Sequence, residues 1–369
     1  MNISFGGASI RRPGAYSTVD TDKMVPITLG AFNVLAFVGV APAPAGQEAT
    51  ALEPGKVYYF NNPTLARQAI GDSELLDCMN IAWKHGADLI AVSPVSVTAP
   101  ETAPTDAEWQ EAIDALDVEF VDGIIPVTSE PAIHAKVDTH VTNASSVTNR
   151  KERRAFYGHA NGLTVQEITA LQAALNTERG MMATPGVYVY DSTGAKVLKP
   201  SYYLASAYAG LWASQPPQEP LTYKYVKFDG LEVLYNGTQI IELLDGHIAP
   251  VEYVRNKGYR IVQGITLSSS ADLTKQELSV STLKDVMSKN LREYFEEKYV
   301  GKAGVAGIEV TMTNDLLTMI EKFVEAGWLR GYVPESVRVT RNGTAFYLEY
   351  EGQPTLPINN ILITSHFTL

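Results

Sequence analysis

The sequence predicts a mixed α/β fold, a layered α/β body followed by a C-terminal α/β domain. Apolar runs such as "AFNVLAFVGVA" and "ADLIAVSPVSV" have the character of buried strands. Between and after them come segments of helical spacing, and Ser/Thr-x-x-Glu capping boxes announce helix starts. Strands alternating with helices are the pattern of a layered α/β domain.

The opening 30 residues, with Gly6-Gly7 and "RRPG" among scattered apolar positions, cannot build a core and are expected to form an arm, residues 1–30. From Ala31 a strand is expected in "AFNVLAFVGVA". "SELLDCMNIAWKHG" carries Leu75, Met79 and Trp83 at helical spacing, with Gly86 placed to end the helix. "ADLIAVSPVSV" follows as a strand. Thr105 and Glu108 form a capping box ahead of Trp109, Ile113 and Leu116, and "VEFVDGIIPV" is the next strand. A helix around residues 132–141, the strand "RRAFYGHA" and a helix opened by Thr164 and Glu167 continue the alternation. "PGVYVYDSTGAKVL" reads as a strand with a turn at residues 192–194.

The prolines of "SQPPQEP" remove backbone donors and fix φ, so a soft boundary is expected near residues 216–220, closing an outer body of residues 31–218. Beyond it, "YRIVQGITL" is a strand. "STLKDVMSKNLREYFEEKY" is an amphipathic helix with Leu283, Val286, Met287, Leu291, Tyr294 and Phe295 on one side. A second helix holds Leu316, Ile320, Phe323 and Val324. "SVRVTRNGTAFYLEY" is a hairpin, with Asn342-Gly343 suited to a type I′ turn. These elements make up a domain of residues 219–354. In the closing "PTLPINNILITSHFTL", residues 355–369, Ile361, Ile363, Phe367 and Leu369 alternate with polar residues as in a half-buried strand.

A chain of 369 residues with 45% hydrophobic and 19% charged residues has the composition of a soluble globular protein with two or three cores. Its 29 Lys and Arg against 41 Asp and Glu give a net charge of −12, which repels phosphate backbones, so no nucleic-acid partner is expected. The basic run "RKERR", residues 150–154, is accordingly read as a solvated loop or a protein contact. Cys78 is the one cysteine, which excludes an intrachain disulfide, and it is expected to fill a helix face. No basic stretch followed by an apolar one opens the chain, so no secretory signal is expected. "ITLGAFNVLAFVGVA" falls short of the roughly 20 apolar residues that span a bilayer, so no membrane insertion is expected.

Catalytic signatures are missing. No G-x-G-x-x-G follows a strand, and Gly55-Lys56 and Gly301-Lys302 are followed by Val57 and Ala303 where a phosphate loop needs a hydroxyl. The histidines, including His134 and His140 on one helix, show neither H-E-x-x-H nor an i,i+4 pair, so no metal or cofactor is expected. No G-x-S-x-G elbow occurs. The residues alone leave open an α/β enzyme without a recognisable motif or a self-assembling shell protein.

At this point the order of elements resembles the contractile tail sheath proteins of bacteriophages and of phage-tail-like injection particles. "RRPGAYSTVD" is similar to that family's Pro-Gly-aromatic opening, and "LAFVGVAPAPAG" to its first core strand and following loop. "GLTVQEITALQAALNTERGMMATPGVYVYDSTG" resembles its helix, Pro-Gly strand and turn, and "YLASAYAGLWASQPP" the Ala- and Gly-rich helix that comes next. "GYRIVQGITL", "STLKDVMSKNLREYFEEKYVG" and "LLTMIEKFVEAGWLRGY" complete the likeness. "TYKYVKFDGLEVLY" and "ITLSSSADL" depart from the family's pattern.

The resemblance implies a structural subunit and no enzyme. Such a subunit polymerises into a helical tube of stacked rings around an inner tail tube in the virion, is assembled in the host cytoplasm, and meets baseplate and tail terminator proteins. It also implies that residues 219–354 form a sheath domain whose sheet is completed by strands exchanged between subunits. The arm would contribute Ile3, Phe5, Tyr16 and Val19, and the donated end strand Ile361, Ile363, Phe367 and Leu369. Lys284, Lys289, Arg292 and Lys298 are candidates to face the tube. The alternative for these four is a salt-bridged solvent face beside Asp285, Glu293, Glu296 and Glu297.

Overall fold

The computed structural model describes residues 3–5, 8–10, 34–41, 52–97, 103–191 and 193–366. In chain order the elements up to the proline-rich segment are β1 (Ile3–Phe5), β2 (Ala8–Ile10), β3 (Val34–Val40), β4 (Tyr58–Phe60), α1 (Pro63–Ile70), α2 (Glu74–Lys84) and β5 (Leu89–Val95). They continue with α3 (Asp106–Asp114), β6 (Gly123–Pro126), α4 (Pro131–Ala144), β7 (Arg154–Tyr157), α5 (Val165–Leu175), β8 (Gly180–Thr184), β9 (Val187–Tyr190), β10 (Lys196–Lys199) and α6 (Tyr202–Ser214). Beyond that segment lie β11 (Tyr225–Val226), β12 (Gly230–Leu231), α7 (Gly237–Asp245), β13 (Ala249–Val254) and β14 (Gly258–Ile261). The chain then forms α8 (Leu273–Gln276), α9 (Leu278–Tyr299), α10 (Ile308–Glu325), β15 (Leu329–Asn342) and β16 (Ala345–Pro354).

One nine-stranded sheet, in the order β11-β14-β13-β8-β7-β6-β3-β5-β4, carries the body. Its six middle strands run parallel, and β4, β14 and β11 close the edges antiparallel. Alternation along each strand sorts side chains to two cores. Leu35, Phe37, Phe156 and Met181 face the core covered by α2 and α6, while Ala36, Val38, Tyr157 and Met182 face α3, α4, α5 and α7. Cys78 is buried on α2, as expected. Both predicted capping boxes form, Thr105 with Glu108 and Thr164 with Glu167.

α6 is buried on every side from residue 202 to 210, because it is sandwiched between the sheet and α2. A Cβ on Gly210 would meet the Ala82 carbonyl oxygen at 2.5 Å, so only glycine lets the two helices approach this closely.

The proline-rich segment of residues 216–220 separates elements but not sheets. After it, β13 joins β8 directly, and Leu221 and Val226 enter the same core as α6. The basic run also departs from expectation. Arg153 and Arg154 are 0% and 1% exposed, far from a solvated loop. Arg153 donates to the Leu116 and Glu119 carbonyls at 2.8 and 2.5 Å and to His140 Nε2 at 2.6 Å, so fixed acceptors replace part of the water it has lost, while its buried Nε finds none.

Candidate assembly interface

Beyond the sheet, α9 and α10 support the hairpin β15–β16. The first turns of α9 are buried all round, Leu278 to Leu283 included, since this end enters the core beside the sheet. Trp212 of α6 donates to Thr282 Oγ1 at 3.0 Å, and Arg154 of β7 reaches Asp285. At its other end Lys298 meets Asp315 of α10 at 2.6 Å. The helix therefore ties the hairpin's support to the body.

β15 and β16 pair with each other alone among the described residues, so each has an open outer edge. Tyr332, Val339, Leu348 and Tyr350 are half-buried against the core, while Tyr347 and Glu349 on the opposite face are exposed. Between Val333 and Arg338 the register breaks, at Pro334, which has no N–H to give the ladder. Ser336 patches the gap, accepting from the Glu351 N–H at 2.7 Å and donating to the Val333 carbonyl at 2.6 Å. The turn sits one residue later than predicted. Asn342 pairs with Ala345, leaving Gly343-Thr344 as the two-residue loop, and of these Gly343 alone has positive φ, at 62°. Positive φ at the first position fits a type II′ turn, where type I′ needs it at both.

Residues 355–366 follow β16 and belong to no strand. The half-buried strand expected here is not formed within the chain. Ile358, Ile361, Leu362 and Ile363 are 82, 77, 95 and 83% exposed. Thr355 is held by its N–H to the Trp328 carbonyl at 3.1 Å, and Asn359 by its side chain to Glu277 at 2.5 Å. An apolar segment anchored at its root and exposed beyond it stands beside a sheet with open edges.

Ile3 and Phe5 lie on β1, which pairs with β2 through Ile3 opposite Ile10 and Phe5 opposite Ala8. Tyr16, Val19, Phe367 and Leu369 lie outside the described residues. The four candidate cations are each engaged within the chain: Lys284 with Glu178 at 3.1 Å, Lys289 with Asp122 at 3.9 Å, Arg292 with Glu152 at 2.7 Å and Lys298 with Asp315. Their partners come from other elements, not from Asp285, Glu293, Glu296 or Glu297 on α9. Glu296 is exposed and pairs with Arg150, and Asp285 is buried.

The sequence of residues 102–267, which spans α3 to the segment after β14, matches the phage tail sheath protein central domain. Over those residues the chain is similar to a phage tail sheath domain. The tail sheath protein of Bacillus phage SP01 is 28% identical over 273 residues, 72% of this chain and 47% of that protein. The tail sheath protein of Staphylococcus phage Twort is 27% identical over 248 residues, 64% of this chain and 40% of that protein. The chain thus spans about half the length of these curated relatives. A contracted helical sheath protein of the anti-feeding prophage has the same fold, with a TM-score of 0.71 at 15% identity, covering 96% of this chain and 98% of that one. The sheath tail protein of Desulfitobacterium hafniense gives 0.70 at 14% identity, with 92% and 96% covered. The likeness of fold thus extends beyond residues 102–267 to α9, α10 and the hairpin.

Proposed function

We propose that this chain is a structural subunit of a contractile tail sheath, forming a helical tube around an inner tail tube and shortening to drive that tube through a target envelope. The observation that carries the reading is the exposed apolar segment of residues 358–363 beside the open-edged β15–β16 pair. An extended segment added to an open edge gains main-chain hydrogen bonds and seats alternate side chains. Residues 355–369 of one copy then complete the β15–β16 sheet of another, and the arm of residues 1–30 supplies a further strand. In this reading the free energy of shortening comes from contacts between copies, with no catalytic step.

Relatives supply the particle: tail sheath proteins of phages, and folds shared with sheath proteins from a helical sheath and from a baseplate of the anti-feeding prophage. The proposed partners are further copies of this chain, the tube protein, and baseplate and terminator proteins. The proposed site is the virion tail, after assembly in the host cytoplasm. Lys284, with 41% of its side chain exposed, has the most charge left to offer a tube among the four candidate cations. Negative-stain microscopy of the purified chain tests the reading. Tubes are expected, and a small discrete oligomer at every concentration and salt would sink it.

A further inference from the structure

Glu277, the residue that opens α9, is 2% exposed. Its Oε1 accepts from Gln263 Nε2 at 2.8 Å and from Asn359 Nδ2 at 2.5 Å. Its other oxygen, Oε2, is buried with no hydrogen-bond partner, and so is Asn359 Oδ1. Two orphaned acceptors thus belong to two groups already joined through their neighbouring atoms. A carboxylate and a carboxamide can share a single N–H···O bond. A carboxylic acid and a carboxamide can share two, because the acid's O–H supplies the missing donor.

We propose that Glu277 and Asn359 form a proton-operated latch at the root of the C-terminal segment: with Glu277 protonated, Oε2–H donates to Asn359 Oδ1 and the pair closes at two points. When the proton leaves to solvent, one bond remains and a buried anion stands against a carbonyl oxygen, so the segment loosens.

The surroundings favour the acid form. The groups acting on Glu277 are its burial, Gln263 and Asn359, and no charged side chain is among them. The first cation along α9, Lys284, is turned elsewhere and pairs with Glu178. The helix end favours an anion, but the Glu277 side chain caps no N–H of α9. Burial prevails and pushes its carboxyl above the ordinary glutamate range, while the two hydrogen bonds oppose it. The latch is therefore closed at acid pH and opens as pH rises past that range. It rests on contacts within one chain and holds whether or not the segment docks on another copy.

The test is limited proteolysis and hydrogen exchange of residues 355–366 in the unassembled full-length chain across pH, with rates normalised to Asn359→Ala at each pH. In the parent, protection should fall about fivefold or more as pH rises, the ratio that one buried hydrogen bond commands. Glu277→Gln, an uncharged mimic of the acid with a donor on the second position, should stay protected at every pH. An infrared band of a protonated carboxyl, present at acid pH and missing in Glu277→Gln, should track the protection. Protection independent of pH in the parent, or a Glu277→Gln segment as open as that of Asn359→Ala, overturns the latch.

Discussion

Arg154 of β7 donates to Asp285 of α9 at 2.5 Å, and both side chains are buried. Arg154 also reaches Ser281 Oγ at 2.9 Å and the Glu178 carbonyl at 3.1 Å, while Arg179 shares the same carboxylate oxygen. These contacts bind the nine-stranded sheet to the helix that supports the hairpin. A load carried by the hairpin edge would reach the body through α9.

Replacing Asp285 with Ala should therefore be severe. It leaves Arg154 buried without its counter-ion, a change that costs about 3–5 kcal/mol. The double variant Arg154→Met with Asp285→Leu should recover part of the loss, since the Arg154 charge is removed together with its counter-ion, while Arg179, which shared that carboxylate and is 14% exposed, stays without it. Urea unfolding of the parent, Asp285→Ala and double variants checks both. Equal losses in the single and double variants would show that packing, not charge, governs the site.

Acid should destabilise the fold through its buried histidines, of which two are the most clearly shifted. His134 is held at about 4 by burial, against the pull of its hydrogen bond to the Thr128 carbonyl. His140 is also held at about 4, by burial and then by the Arg153 guanidinium. Both values lie below the unfolded 6.5, so the unfolded chain binds more protons in between. Stability is then full above about 6.5 and falls as pH drops towards 4, by on the order of 3 kcal/mol per histidine. Glu277 contributes the opposite slope above the glutamate range. Comparing urea midpoints at pH 7 and 4.5 in Glu277→Gln removes that opposing slope, and since burial also lowers the pKa of His85 and His159, His134→Gln should flatten the dependence in part.

The layered body was legible in the sequence because its signals are local. Period-two and period-3.6 patterns and the Thr105 and Thr164 caps each need only neighbouring residues. Arg153 and Arg154 were misread because what buries them is remote: the carbonyls of Leu116 and Glu119 for one, Asp285 for the other. Asp285 was misread in turn, since the first turns of α9 are enclosed all round and a polar position there no longer marks a solvent face. The Glu277–Asn359 contact joins residues 82 positions apart and leaves no pattern in sequence. The end segment has the alternation of a strand, but residues 355–366 pair with no edge among the described residues.

Tube formation should need neither metal nor nucleotide. No phosphate-loop hydroxyl follows Gly55-Lys56 or Gly301-Lys302, and no group of three metal-ligating side chains occurs among the described residues. Assembly in excess EDTA, and without ATP, should match assembly in plain buffer by light scattering and microscopy. A strict requirement for either would point to a different source of free energy.

Deleting residues 357–369 should separate folding from assembly. Ile361, Leu362 and Ile363 are 77, 95 and 83% exposed, so they contribute almost no burial to the lone subunit. The deletion also removes the hydrogen bond from Asn359 to Glu277. Circular dichroism and urea unfolding should therefore remain within about 1 kcal/mol of the parent. Assembly depends on the same residues differently: about five strand hydrogen bonds at about 0.5–1.5 kcal/mol each give a few kcal/mol per link, and many links per ring multiply the effect. The truncated chain should stay monomeric under conditions where the parent forms tubes. Ile361→Pro with Ile363→Pro, which removes two donors and keeps the length, should behave alike, because proline cannot give its N–H to the receiving edge. Normal tubes from either variant would show that the end segment is not the strand that joins one copy to the next.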